Sequence, residues 1–310
     1  MNISDLLSVP EVKERFKGYT GLVTNHPAGE MLAPPISDRT GEVAIAFDYL
    51  LRFYTEHLNQ DKKVEKNTWY AQGAFYFQYV QSPEEHLDFF LRLEREYEEL
   101  IPIYKNYIKE GKVTKDLFYF CLFLAKFELS NKVPIDILVE SYTKPHKESI
   151  KDLKSIFSLI NPSHFLCDKK CYLNPTFGIG NMNADLIIDD TLIEIKTVSK
   201  IKWTDFKAYV NQLLVYYILS LIGQINSKVK RSPIKYLGIY YSRHGLYWRE
   251  PIAEVLNTNK FFKEFFKKYP MDGSEHLIDY REFKSVKEIH KDPMVIEMKE
   301  WLMKYLPIEK

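Results

Sequence analysis

Apolar residues recur at three- and four-residue spacing through most of the first half of the chain. In the second half they run in short, nearly continuous stretches. The first pattern predicts helices and the second predicts buried strands. Ser4 to Phe16 reads as a short helix that Ser4 can cap, with Pro10 limiting its regularity. Residues 18–39 hold Pro27, Pro34 and Pro35 and little periodicity, which predicts a loop packed over the body. Val43 to His57 (VAIAFDYLLRFYTEH) predicts a strongly apolar helix, and Asp61 to Lys66 a charged break. Thr68 to Leu129 is helical in pattern, with Gly111 marking a turn, and Glu94, Glu96, Glu98 and Glu99 form a solvated face. Lys132 to His146, with Pro134 and Pro145, looks like a boundary. Glu148 to Ile160 predicts an amphipathic helix and Asn161 to Gly180 a loop-rich stretch.

The next segment, Asn183 to Val198 (NADLIIDDTLIEIKTV), predicts two short strands joined by a tight turn at Asp189 and Asp190. A two-residue loop sets Ile188 against Thr191 and therefore Asp185 against Glu194. Opposed Cβ atoms lie roughly 4.5–5.5 Å apart. Two carboxylates at that distance repel, and a divalent cation between them turns repulsion into ligation. Lys196, two residues past Glu194, projects from the same face. The alternative is a hairpin with a charged solvent face. The context favours the metal: LII and LIEI read as strands buried on both faces, where charges are disfavoured unless paired or bound to a cation.

Beyond the hairpin, a helix over about Asp205 to Leu221 is predicted, capped by Thr204 or Asp205. Gln212 and Tyr216 are four apart and share one of its faces, plainly as an amide–hydroxyl contact in a core helix. YLGIYYSRHGLYWR predicts two strands joined at Ser242 to Gly245. IAEVL, FFKEFFKKY and an amphipathic C-terminal stretch are helical in pattern. Strands flanked by helices, after a long helical segment, define an α/β or α+β class.

Composition narrows the partners. The 310 residues carry 43 Lys+Arg against 42 Asp+Glu, a net charge of +1, so any nucleic-acid binding needs a local basic patch. Lys200, Lys202 and Lys207, with Lys228, Lys230 and Arg231, could line a path for phosphates or simply keep the surface soluble. Trp203 and Tyr209 could stack on bases, although core packing is the plainer role. Cys121, Cys167 and Cys171 are too few and odd in number for a disulfide framework, which fits a reducing cytoplasm. Cys167 and Cys171 (CDKKC) with His164 offer at most part of a metal site. No signal-like apolar core and no run of about 18 apolar residues is present, so the expectation is a soluble cytoplasmic protein with no membrane partner.

Asp185, then Glu194-Ile195-Lys196, then a helix with Gln212-x-x-x-Tyr216, resembles the PD-(D/E)xK nuclease superfamily. More narrowly, it resembles the QxxxY branch that includes RecB-type and lambda-exonuclease-type nucleases. The resemblance covers about Ser155 to Arg249, and Val43 to His57 more loosely. It implies a restriction-endonuclease-like core, a mixed central sheet flanked by helices, spanning residues 148–310. Residues 1–54 would contribute helices, and 55–147 would form a helical insertion with no counterpart. It implies Mg2+ or Mn2+ held by Asp185, Glu194 and the Ile195 backbone carbonyl, with Lys196 near the attacking water. Gln212 and Tyr216 would steady the site or touch the nucleic-acid backbone. Relatives often supply a further His or Glu from an earlier helix; here Asp48 stands in that stretch, and a carboxylate can replace imidazole toward these metals. From the helix pattern alone, a solvated helix face is the plainer place for Asp48.

The resulting expectation is metal-assisted phosphodiester hydrolysis, on DNA and exonuclease-like in character, with Lys200, Lys202 and Lys207 as nucleic-acid contacts. The alternative is a nucleic-acid-binding or protein-interaction module on the same fold that does not cut. Protein partners could dock on the helical segment.

Overall fold

The computed structural model describes residues 3–17, 26–81, 84–130, 136–137, 139, 142, 144–177, 182–222, 225–226, 234–257 and 300. The helices are α1 (Ile3–Ser8), α2 (Pro10–Lys17), α3 (Thr40–Leu58), α4 (Tyr70–Gln81), α5 (Leu87–Glu110), α6 (Lys115–Ser130), α7 (Lys147–Phe157), α8 (Trp203–Ile222) and α9 (Ile252–Asn257). The strands are β1 (Lys63–Lys66), β2 (Lys170–Leu173), β3 (Thr176–Phe177), β4 (Met182–Asn183), β5 (Leu186–Ile188), β6 (Thr191–Lys196), β7 (Tyr236–Tyr241) and β8 (Leu246–Pro251). Six strands form one mixed sheet in the order β1-β2-β5-β6-β7-β8, and β3 pairs with β4 beside it. β5 runs antiparallel to both of its neighbours, β2 and β6, whereas β6 and β7 run parallel with α8 crossing between them. The class is mixed α/β.

The period of two along the strands sorts their side chains into two cores. On one face Tyr172, Ile187, Leu192, Leu237, Ile239 and Trp248 pack with Phe206, Val210, Leu213 and Tyr217 of α8. On the other, Leu173, Leu186, Ile188, Ile193, Ile195 and Tyr240 pack with α3, α6 and α7. β5 and β6 are therefore buried on both sides, as their continuous apolar runs predict. α3 presents Val43, Phe47, Leu50 and Leu51, all fully buried, at helical spacing.

Several expectations are corrected. The charged break at Asp61 to Lys66 is in part the edge strand β1, parallel to β2. Its charges are paired sideways: Lys170 Nζ donates to Glu65 at 2.7 Å, and Lys66 Nζ donates to Glu56 at 2.6 Å. Charged residues are typical of a strand edge. The loop-rich 161–180 stretch contains β2, too short for alternation to show, with Cys171 fully buried. The N-terminal helix breaks at Val9, and Pro10 opens α2 at a position where its missing N–H costs little. α8 starts at Trp203, so Thr204 and Asp205 lie inside its first turn; Asp205 there faces the positive end of the helix dipole. Glu94, Glu98 and Glu99 are exposed, but Glu96 is half-buried and accepts the Tyr119 hydroxyl at 2.5 Å. Gly111 ends α5 as expected, with φ 69°. Lys228, Lys230, Arg231, FFKEFFKKY and the C-terminal helical stretch lie outside the described residues. Among those described, no helix is long and apolar enough to cross a membrane.

Candidate functional site

The β5–β6 turn sets the site. Ile188 pairs with Thr191, Ile187 with Leu192 and Leu186 with Ile193, the register of a two-residue loop. Asp189 adopts φ 49°, and its carboxylate accepts the N–H groups of Asp168, Lys169 and Lys170 at 2.7, 2.9 and 3.0 Å. These bonds hold its carboxyl below the usual range despite partial burial. The ladder stops at Leu186, one step before Asp185. There the Asp185 carbonyl accepts from the Asn174 N–H at 2.9 Å, and its Oδ2 accepts from the Ile195 N–H at 2.6 Å. In a strand, the N–H and C=O of one residue point to the same edge. The Ile195 carbonyl thus faces the Asp185 side, where β5 has ended.

Glu194 and Lys196 share the face of Leu192, toward α8. Glu194 is 4% exposed, and its Oε1 accepts Lys196 Nζ at 2.7 Å and Gln212 Nε2 at 2.8 Å. Its Oε2 is buried with no partner. Lys196 Nζ also reaches Gln212 Oε1 at 3.3 Å and lies 4.5 Å from the centre of the Tyr209 ring. Gln212 Nε2 meets the Tyr216 hydroxyl at 3.5 Å, and that hydroxyl donates to the Asn183 carbonyl. Asp185, Glu194, Lys196, Gln212 and Tyr216 therefore converge, with Gln212 bonded to both Glu194 and Tyr216.

Asp48 arrives from α3, in the opposite layer. It is not on a solvated face: Arg52 holds Oδ2, and Oδ1 is sealed from solvent without a partner. Burial pushes the Asp185 carboxyl well above its ordinary value, and the negative charges of Glu194 and Asp48 push it further, against Lys196 and the Ile195 N–H. Burial likewise raises Asp48, against Arg52 and Lys196. Burial opposes the charge of Lys196, but Glu194 and Asp185 outweigh it and hold the ammonium protonated. Burial and Glu194 raise the Tyr216 phenol, so it stays a donor.

The donor set suits a hard divalent cation. Glu194 Oε2 and Asp48 Oδ1 are buried oxygens without hydrogen bonds, next to a third acid whose charge both resist. The three carboxylates do not all close within 4.8 Å of one another. Among the described residues the group that does is Glu85, His86 and Asp136, two of them exposed, on the helical layer.

Lys200 and Lys202 are exposed on the segment leading from β6 to α8. Lys207 is half-buried, with Nζ 4.8 Å from the Trp203 ring centre. Trp203 is 37% exposed and packs edge-on against His26, while Tyr209 is taken up under Lys196. Cys167 and Cys171 are free and buried, and burial pushes both thiols up. The His164 ring lies against Tyr247 at 4.7 Å. These three are not gathered as ligands. Sequence reasoning missed Arg52, Tyr209 as the seat of Lys196, and Asn183 as acceptor for Tyr216. Arg52 had a signal, its four-residue spacing from Asp48. Asn183 had one too, since it lies two before Asp185. No family model, curated protein or solved structure matches this chain.

Proposed function

We propose that the chain is a metal-dependent nuclease of the PD-(D/E)xK type, on the branch with a QxxxY helix. It hydrolyses phosphodiester bonds in DNA with exonuclease-like action. One observation carries this reading: two buried carboxylate oxygens, on Glu194 and Asp48, stand without partners beside Asp185, with an ammonium 2.7 Å from Glu194. A salt-bridged structural cluster would be expected to use those oxygens. The succession β2, β5, β6, α8, β7, with β7 parallel to β6, is compatible with a restriction-endonuclease-like core.

Asp185, Glu194 and the Ile195 carbonyl would hold Mg2+ or Mn2+, with Asp48 from the other layer. The ion supplies charge neutralisation and a lowered pKa for bound water. Lys196 positions the water and stabilises charge developing on the phosphoryl oxygens. Gln212 fixes Lys196 and Glu194 together through its two amide atoms, and Tyr216 anchors Gln212 to the β4 backbone. Lys200, Lys202 and Lys207 offer cations to the phosphate backbone as it enters.

The test incubates purified protein with linear and circular, single- and double-stranded DNA and RNA in Mg2+ and in Mn2+. Degradation from the ends of linear DNA, abolished by chelator and strongly reduced by Lys196→Ala, is the expected result. Tight nucleic-acid binding with no cleavage in either metal sinks the proposal and leaves a binding module.

A further inference from the structure

We infer that Arg52 is the positioning residue for Asp48: it occupies one carboxylate oxygen and leaves the other preset as a ligand for the divalent cation. The inference rests on the nuclease reading of the site. Asp48 and Arg52 are one helical turn apart on α3, the spacing at which side chains meet. Arg52 is 6% exposed, and its Nε also donates to the Asp48 carbonyl at 3.3 Å. Its guanidinium lies 4.6 Å from the centre of the Tyr49 ring. Tyr49 is itself pinned from two other helices: its hydroxyl donates to Glu128 on α6 at 2.8 Å and accepts the Ala71 N–H on α4 at 3.1 Å. The helical layer thus fixes the ring, the ring seats the guanidinium, and the guanidinium fixes the carboxylate.

Stability alone does not account for this chain of contacts. A buried ion pair often adds little net stability, and a sealed, unpartnered Oδ1 adds a desolvation cost. Both features make sense if Oδ1 meets a cation. Ligating carboxylates are commonly held through their second oxygen, and losing such a holder typically costs 10–100-fold in metal affinity.

Calorimetric titration of the full-length protein with Mn2+ tests this, with thermal melts as the folding control. Arg52→Gln is expected to weaken Mn2+ binding about 10–100-fold. Arg52→Lys, which keeps the charge and protects against misfolding, recovers part of the loss. In an Asp48→Asn background, Arg52→Gln adds no further weakening, because the group it positioned is gone. Wild-type or tighter affinity in a folded Arg52→Gln protein overturns the inference, as does an equal loss in the Asp48→Asn background. A wild-type protein that binds no Mn2+ overturns the nuclease reading itself, and this inference with it.

Discussion

Glu194 shows how much one residue decides. Its Oε1 carries two hydrogen bonds and its Oε2 none. Replacing Lys196 by Ala removes an ammonium aimed at charge that develops in the reaction and leaves Glu194 Oε1 with Gln212 as its partner. Cleavage should fall by about 10²–10³-fold, the range for losing one such group, while Mn2+ affinity holds or improves. Single-turnover kinetics separates the two, and a Lys196→Ala enzyme of normal rate would remove that role. Asp185 gives a pH test. Its folded-state value is raised above that of the unfolded chain, so the native state binds more protons and stability falls as pH rises above about 4. The metal-free protein should therefore melt higher in mild acid than at neutral pH. Asp185→Asn should flatten that slope and raise the neutral melting temperature. An unchanged slope in chelator-treated melts would mean that the Asp185 carboxyl is not strained by its neighbours.

At the level of elements, what could be read in advance was local. The β5–β6 hairpin announced itself through LII and LIEI around two aspartates, and its register follows from loop length alone. Gln212 and Tyr216 could be placed on one face because helical spacing is fixed. β1 could not, because KVEK carries no apolar alternation and finds its partner β2 only across a long separation. The setting of Asp48 was equally hidden. Sequence shows an acid in an apolar helix, but not that Arg52 takes one of its oxygens while the other is sealed from solvent. Asp189 tests the hairpin itself. Three backbone N–H groups depress its carboxyl, so its contribution is present above about pH 4 and is lost as pH falls through that region. Asp189→Asn should cost about 1 kcal/mol at neutral pH, a typical hydrogen-bond value, and almost nothing in strong acid. Chemical unfolding at both pH values measures it, and a gap that persists in acid would point to geometry rather than charge. Gly111 is a second check: a Cβ there would meet the His57 ring at 2.3 Å, and φ is already 69°. Gly111→Ala should destabilise the α5–α6 junction by more than the roughly 1 kcal/mol of left-handed strain alone.

Across the molecule, three layers must stay in register for acids from opposite faces of the sheet to share one site. Asp48 comes with α3, and Glu194 is held by α8, so a small slide between layers would separate them. A buried clamp opposes that slide. Arg243, 1% exposed, donates to Asp152 on α7 at 2.7 and 3.0 Å and to the Ala33 carbonyl at 3.1 Å. The N–H groups of Leu32 and Ala33 return to the Arg243 carbonyl at 2.9 Å each. Next to it, the Ser242 hydroxyl meets that of Thr197 at 2.8 Å, one residue beyond Lys196. The β7–β8 turn is thereby tied to α7, to the 32–37 segment and to the end of β6. Arg243→Met strips the buried Asp152 carboxylate of its cation and leaves it only the Ser37 N–H at 3.4 Å, which should cost about 3–5 kcal/mol. Replacing both partners, Arg243→Met with Asp152→Leu, should restore most of that loss, since it removes the stranded charge along with the pair. Urea unfolding reads both variants. If the single substitution costs less than about 1 kcal/mol, the figure for an exposed pair, the clamp carries no weight and the layers are held by apolar packing alone.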